Sequence, residues 1–222
     1  MSHLSQLSPI ESRIRQQFYP EDPVLSRIQQ AIIDDGKPTM NIGPEQGKVL
    51  QVLMTAVGAS RVLEVGTFYG YSAVWIARAL PADGRLVCLE VSAEHARKAG
   101  GFLAEAGLSH LVEIRVGPGG ELLPNLADEA SFDLIFLDAD RESYSQYLDH
   151  VERLLRPGGI LVVDNVYLKG RLAEPAPPAD SPYAAGYAGM TGLLDRLASS
   201  PQWISTVLPY EDGLAVAVYR PG

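Results

Sequence analysis

Two stretches of the chain run apolar and then stop on oxygen-bearing side chains: Phe132-Asp133-Leu134-Ile135-Phe136-Leu137-Asp138 and Ile160-Leu161-Val162-Val163-Asp164-Asn165. Read as neighbouring strands, about 4.8 Å apart, they bring Asp138 and Asp164 to one sheet edge, where two unpaired carboxylates repel each other. A cation relieves that repulsion. Oxygen donors without an adjacent His or Cys cluster suit a hard ion, Mg²⁺ ahead of Ca²⁺ or Mn²⁺, and disfavour structural zinc. The competing reading is that Asp164-Asn165 opens a turn and Asp138 caps the next segment, which the residue types also permit.

A second constellation lies upstream. Glu64-Val65-Gly66-Thr67-Phe68-Tyr69-Gly70 closes an earlier apolar run and leads into a helix through Tyr71 and Ser72. Glycines at such a turn let the backbone approach a ligand in the crevice where open α/β sheets bind cofactors, although a plain strand-to-helix turn uses them in the same way. Glu90 ends the next run, 24 positions after Gly66. That separation suits an acidic group that accepts hydrogen bonds from ribose hydroxyls; the alternative is a solvated strand-end carboxylate. Phe68 stands where the pattern G-x-G-x-x-G needs its second glycine, which disfavours a nicotinamide dinucleotide.

These groups need a scaffold, and the chain supplies one in five apolar runs: Arg61 to Gly66, Arg85 to Val91, Val112 to Gly117, Phe132 to Ala139 and Gly159 to Val166. Runs apolar on both faces, alternating with helical or turn-rich stretches, predict buried parallel strands in a doubly wound α/β sheet. From Ser143, the residues Tyr144, Tyr147, Leu148, Val151, Leu154 and Leu155 recur at helical spacing, and Pro157-Gly158-Gly159 reads as the stop. Pro44 fits a helix start ahead of the stripe Val49, Leu50, Leu53, Met54 and Val57. Trp203 to Pro209 and Leu214 to Arg220 flank a Gly-containing connection and predict an antiparallel hairpin, while Glu174 to Ala188 reads as a long loop near the active edge. The expected organisation is one domain: a helical layer over residues 1–58 and a Rossmann-like core over 59–222.

Composition narrows the function classes. The 222 residues are 46% hydrophobic and 20% charged, as in ordinary globular protein, and the net charge of −9 argues against nucleic acid as a partner. The single cysteine, Cys88, lies in an apolar segment and reads as a buried, inert thiol. Glu11, Arg13 and Arg15 stand among polar residues near the N-terminus, and no apolar run approaches the roughly eighteen residues that span a bilayer, so a cytoplasmic protein with no membrane contact is expected.

Leu63-Glu64-Val65-Gly66-Thr67-Phe68-Tyr69-Gly70-Tyr71-Ser72 resembles the cofactor motif of the catechol and caffeoyl-CoA O-methyltransferase families. The resemblance continues through Met40-Asn41-Ile42-Gly43 upstream and Leu208-Pro209-Tyr210-Glu211-Asp212-Gly213-Leu214 downstream, covering most of the chain. It implies a seven-stranded sheet whose last strand is antiparallel, and transfer of a methyl group from S-adenosylmethionine. By position it places Glu64, Gly66 and Ser72 at the methionine end of the cofactor, Met40 and Ile42 over the transferring centre, and Glu90 on the ribose. Pro118, in Gly117-Pro118-Gly119-Gly120, falls in the adenine-contacting loop, and Asp138, Asp164 and Asn165 fall on the metal ligands, with Asp138 also facing the cofactor. Bacterial members of the family imply a homodimer.

One position departs from the family pattern. In Asp138-Ala139-Asp140-Arg141, arginine stands where these families usually carry the lysine that serves as general base. Arginine stays protonated at neutral pH, so Arg141 is left to stabilise a developing oxyanion, to orient Asp140 or to form a surface ion pair. Lys169 is a candidate substitute base or a solvated loop residue, and His95 and His110 read as surface residues. Tyr69 and Tyr167 either frame an aromatic acceptor or pack, and no Gly-x-Ser-x-Gly elbow is present. A metal-dependent O-methyltransferase for small aromatic hydroxyls leads. A tRNA hydroxyuridine methyltransferase and a noncatalytic cofactor-binding homologue are the alternatives.

Overall fold

The computed structural model of the protein describes residues 8–20, 22–37, 41–127 and 131–222. Three helices come first: α1 (Pro9–Phe18), α2 (Pro23–Asp34) and α3 (Pro44–Val57). Then follow β1 (Arg61–Val65), α4 (Tyr71–Ala77), β2 (Arg85–Glu90), α5 (Ala93–Glu105), β3 (Val112–Val116), the single turn α6 (Gly119–Leu122) and β4 (Phe132–Leu137). The chain closes with α7 (Tyr144–Leu154), β5 (Leu155–Asp164), α8 (Ala184–Ser199), β6 (Trp203–Leu208) and β7 (Leu214–Tyr219). The seven strands form one sheet in the order β3-β2-β1-β4-β5-β7-β6. β1 to β5 pair in parallel, and β7 inserts antiparallel between β5 and β6. The expected doubly wound sheet with an antiparallel last strand is the fold observed.

Burial on both faces follows from side-chain alternation. In β1 and β5, Leu63, Val65, Leu161 and Val163 enter the core beneath α7 and α8, while Val62, Ile160 and Val162 enter the core beneath α2, α3 and α4. The strand order reverses at β1, with β2 on one side and β4 on the other, and this is where doubly wound sheets open a ligand crevice.

Two boundaries differ from the sequence-based expectation. α7 ends at Leu154 and β5 begins at once with Leu155, whose burial comes from its pairing with Phe132 and not from a further helical turn. The ladder then jumps to Leu134 opposite Ile160, so the expected stop Pro157-Gly158-Gly159 is a bulge inside the strand, where a residue without an N–H is tolerated. The loop expected through Ala188 gives way to α8 at Ala184. The buried stripe Gly189, Met190, Leu193 and Leu197 has helical spacing, but its Gly- and Ala-rich start disguises the period.

The bulge has a structural use. Arg156 donates from Nε to Asp133 Oδ1 at 2.6 Å and from Nη2 to the Val57 carbonyl at 3.0 Å, while the backbone N–H groups of Ser60 and Arg61 both donate to Asp133 Oδ2 at 2.8 Å. One carboxylate thereby locks the starts of β1, β4 and β5 to the end of α3. Burial opposes its ionisation, but the hydrogen bonds from Arg156, Arg61 and Ser60 outweigh that and hold the Asp133 carboxyl below its ordinary value. This stabilisation is complete above the ordinary carboxylate pKa and is lost as pH falls through the depressed one. Asp133→Ala is expected to lower the unfolding free energy in urea at neutral pH by about 2 kcal/mol, since three donors lose their acceptor. A loss below about 0.5 kcal/mol would count against the clasp.

Candidate active site

β1, β4 and β5 end at one level, because Val65 pairs with Leu137 and Leu137 with Val163. The residues that follow therefore meet at the carboxyl edge of the sheet. There the chain forms an open cleft of about 1880 Å³, bordered by Gly66, Ser72, Glu90, Asp138, Asp164 and Asn165 among others. Ile42 is buried at its wall. Met40 lies outside the described residues.

The glycine loop is shaped by its neighbours. Gly66 has φ +88°, and a Cβ there would lie 2.1 Å from the Asp138 carbonyl oxygen, so both conformation and close approach require glycine. Glu64 is fully buried beneath the loop and is not among the residues bordering the cleft. Its carboxylate accepts hydrogen bonds from the Thr67 and Ser72 hydroxyls, and from Cys88 Sγ at 3.2 Å. Burial pushes its pKa up, and burial together with Glu64 pushes the Cys88 thiol up as well, which keeps the thiol inert as expected. Glu90 supports the loop from the other side: Oε2 accepts from the backbone N–H groups of Thr67 at 3.2 Å and Phe68 at 2.7 Å, and Oε1 from that of Ser92 at 3.0 Å. Pro118 itself does not border the cleft, whereas its neighbours Gly117 and Gly119 do.

At the ends of β4 and β5 the expected oxygen donors come together. Asp164 is 2% exposed; its Oδ1 accepts from Gln46 Nε2 at 2.6 Å and its Oδ2 from Asn165 Nδ2 at 2.9 Å. Asn165 adopts φ +57°, a left-handed conformation that asparagine tolerates, and its Oδ1 accepts from Arg141 Nη2 at 2.8 Å. Burial, then the charge of Asp138, pushes Asp164 up; burial, with Glu64 adding to it and Arg141 opposing, pushes Asp138 up. No hydrogen bond from the described residues supports the Asp138 carboxylate. Two desolvated carboxylates and an amide oxygen, facing one guanidinium, make a donor set that fits a hard divalent ion. Among the described residues no trio of His, Cys, Asp or Glu gathers at one point, and the oxygen beside the two carboxylates is that of the Asn165 amide.

The O-methyltransferase family profile matches residues 15–219. The chain belongs to the O-methyltransferase family. This O-methyltransferase is 37% identical over 207 residues to the catechol O-methyltransferase of Niastella koreensis, covering 90% of this chain and 91% of that protein. It is 39% identical to the catechol O-methyltransferase of Mycobacterium tuberculosis over 201 residues, 90% of each chain. Among solved structures, the O-methyltransferase TomG of Streptomyces achromogenes, involved in tomaymycin synthesis and crystallised in complex with SAM, superposes with a TM-score of 0.89 at 36% identity, over 100% of both chains.

Several residues of this O-methyltransferase sit otherwise than sequence reasoning expected. His95 is not a free surface residue: it borders the cleft with Nδ1 3.3 Å from Glu90 Oε1. Tyr69 is packed away, its hydroxyl accepting from Lys98 at 2.8 Å, whereas Tyr167 and Lys169 do border the cleft. Arg141 is held from behind by α8, where a Cβ on Gly189 would stand 2.1 Å from the Arg141 carbonyl oxygen, and its Nε is buried with no hydrogen-bond partner among the described residues. Gln46, Thr67 and Gly189 were not singled out from sequence. Their partners are 118, 3 and 48 positions away, and only the short-range bond of Thr67 had a local signal.

Gly66→Ala is expected to destabilise the fold by at least about 2 kcal/mol, through strain at positive φ and collision with the Asp138 carbonyl. Its thermal midpoint and cofactor affinity should fall together. A variant with wild-type melting would contradict the packing described.

Proposed function

We propose that this protein moves the methyl group of S-adenosylmethionine onto one hydroxyl of a vicinal pair on a small aromatic acceptor, with a divalent cation, Mg²⁺ foremost, held by Asp138, Asp164 and Asn165. The observation that carries this reading is the pair of desolvated carboxylates beside an amide oxygen at the mouth of the cleft that contains the glycine loop. The catechol O-methyltransferase names of the relatives support the acceptor class.

Transfer requires the acceptor oxygen as an anion, in line with the donated methyl. The acceptor hydroxyl first gives its proton to water; an O–C bond then forms as the S–C bond breaks, and the sulfonium leaves as the neutral thioether S-adenosylhomocysteine. A divalent ion at this site supplies the charge that lowers the hydroxyl pKa and offsets the carboxylate repulsion. The chain's own residues do the positioning. Gly66 and Ser72 border the methionine end of the cofactor from the β1 side, with Glu64 fixing the Ser72 hydroxyl. Glu90 shapes the loop and takes the ribose hydroxyls, the turn through Pro118 gives the adenine side by way of Gly117 and Gly119, and Ile42 lies over the methyl. Arg141, as a guanidinium, stabilises the phenolate without acting as the base.

Nucleic acid remains disfavoured by the net charge of −9. Among the described residues no helix is long and apolar enough to cross a membrane. We also propose a homodimer, supported by Ile10, Phe18 and Ile33 exposed on the N-terminal helices; light scattering should give twice the monomer mass, and a monomer at high micromolar concentration would refute it.

Chelation should abolish turnover of a catechol while leaving S-adenosylhomocysteine binding largely intact, Mg²⁺ should restore it, and Asp164→Ala should mimic the chelator. Full activity in a chelator would sink the cation reading. Arg141→Lys is expected to retain or raise activity near neutral pH, whereas Arg141→Ala should lower kcat more than it weakens acceptor binding. Wild-type rates in Arg141→Ala would move that residue out of the reaction. Glu90→Ala should weaken S-adenosylhomocysteine binding about tenfold or more by calorimetry, and unchanged affinity would remove Glu90 from the cofactor site.

A further inference from the structure

Gln46, on the first turn of α3, is 2% exposed, and its amide is engaged at both ends. Oε1 accepts from the Gly43 N–H at 2.8 Å, and Nε2 donates to Asp164 Oδ1 at 2.6 Å. The first bond dictates the second. A primary amide whose oxygen faces a backbone N–H turns its nitrogen to the opposite side, and in a buried site that nitrogen needs an acceptor. Capping α3 alone does not call for an amide, because a glutamate at this position caps equally well. Glutamate would, however, set a third carboxylate against Asp164 and Asp138. The amide is the capping side chain that also donates.

This side chain joins two parts of the cleft that no backbone ladder connects. On one side is the segment from residue 41 to residue 43, where Asn41 Nδ2 donates to the Ile42 carbonyl at 2.9 Å and Ile42 is buried. On the other is the cation site, where hydrogen bonds continue from Asp164 to Asn165 and on to Arg141. A displacement of Asp164 Oδ1 therefore reaches Gly43 through a buried amide that water does not replace.

We propose that Gln46 is a positioning residue that couples the placement of the segment 41–43 at the wall of the cleft to occupancy of the cation site at Asp164. The proposal rests on the cation-dependent reading above. Coupling of this kind is reciprocal: the factor by which the cation tightens the cofactor equals the factor by which the cofactor tightens the cation.

The test is a thermodynamic cycle on the intact protein. S-adenosylhomocysteine affinity is measured by calorimetry with and without saturating Mn²⁺, and Mn²⁺ affinity by electron paramagnetic resonance with and without S-adenosylhomocysteine. In the wild type each should tighten the other by the same factor, about fivefold or more. In Gln46→Met, an apolar helix former of similar length, that factor should fall below about twofold, while cofactor affinity without Mn²⁺ stays within about threefold of wild type. Should Gln46→Met fail to fold by circular dichroism, Gly43→Pro breaks the other end of the link. Gly43 has φ −75°, which suits proline, and the substitution removes the N–H that Gln46 accepts. It should lose the coupling in the same way. A folded variant with the wild-type factor, or a wild type in which Mn²⁺ binds without affecting the cofactor, overturns the role of Gln46 and leaves the cation site standing. A wild type that binds no Mn²⁺ overturns the cation-dependent reading and this proposal with it.

Discussion

Two carboxylates at adjacent strand ends, Asp138 after β4 and Asp164 closing β5, face each other where burial has removed much of the water that would screen them. Like charges in a low-dielectric setting are costly unless something holds them, and much of the surrounding structure serves that end. Gln46 and Asn165 donate to Asp164, Arg141 supplies the nearby positive charge, and the bulge in β5 restores the register that brings the strand ends level. Donated hydrogen bonds and one guanidinium thus offset part of the repulsion between the two carboxylates.

The glycine loop depends on the same register. Gly66 sits against the Asp138 carbonyl, so the glycine loop and the carboxylate pair are two sides of one close backbone contact. Glu90 and Glu64 hold the loop from opposite sides, one through backbone N–H groups and the other through side-chain hydroxyls. The loop is thus preorganised by protein groups, which lowers the entropy a bound molecule must lose to order it. Phe68, at φ +48°, is carried in a left-handed conformation that its own side chain disfavours and that the Glu90 hydrogen bond helps to maintain.

Polar burial on this scale costs stability, and the hydrophobic layers offset it. The faces of β1 and β5 enter separate apolar cores, so the strand ends are held by packing well away from the charged edge. Asp133 plays the complementary part at the opposite end of the sheet, where its hydrogen bonds clamp β4 to the starts of β1 and β5, and Arg156 carries the clamp on to the end of α3. The functional edge can then carry repulsive charge without losing register.

The strands, their parallel order and the oxygen-rich strand ends were legible in the chain because each is a local property: period, run length and the residue at which a run stops. Glu90 following Gly66, and Asp164-Asn165 after an apolar strand, are signals of this kind. α8 was not legible, because Gly and Ala at its start blur the period, and neither was the strand character of Leu155, whose burial depends on Phe132. The bonds from Gln46 to Asp164 and from Arg141 to Asn165, the burial of Glu64 behind its loop and the placement of His95 beside Glu90 belong to the tertiary structure. By itself the sequence determined which residues stand at strand ends and what chemistry their types allow. Only the folded chain decided which of them face one another, because hydrogen bonds and charge interactions depend on distance and desolvation in space, and both are set by the packing of the whole sheet.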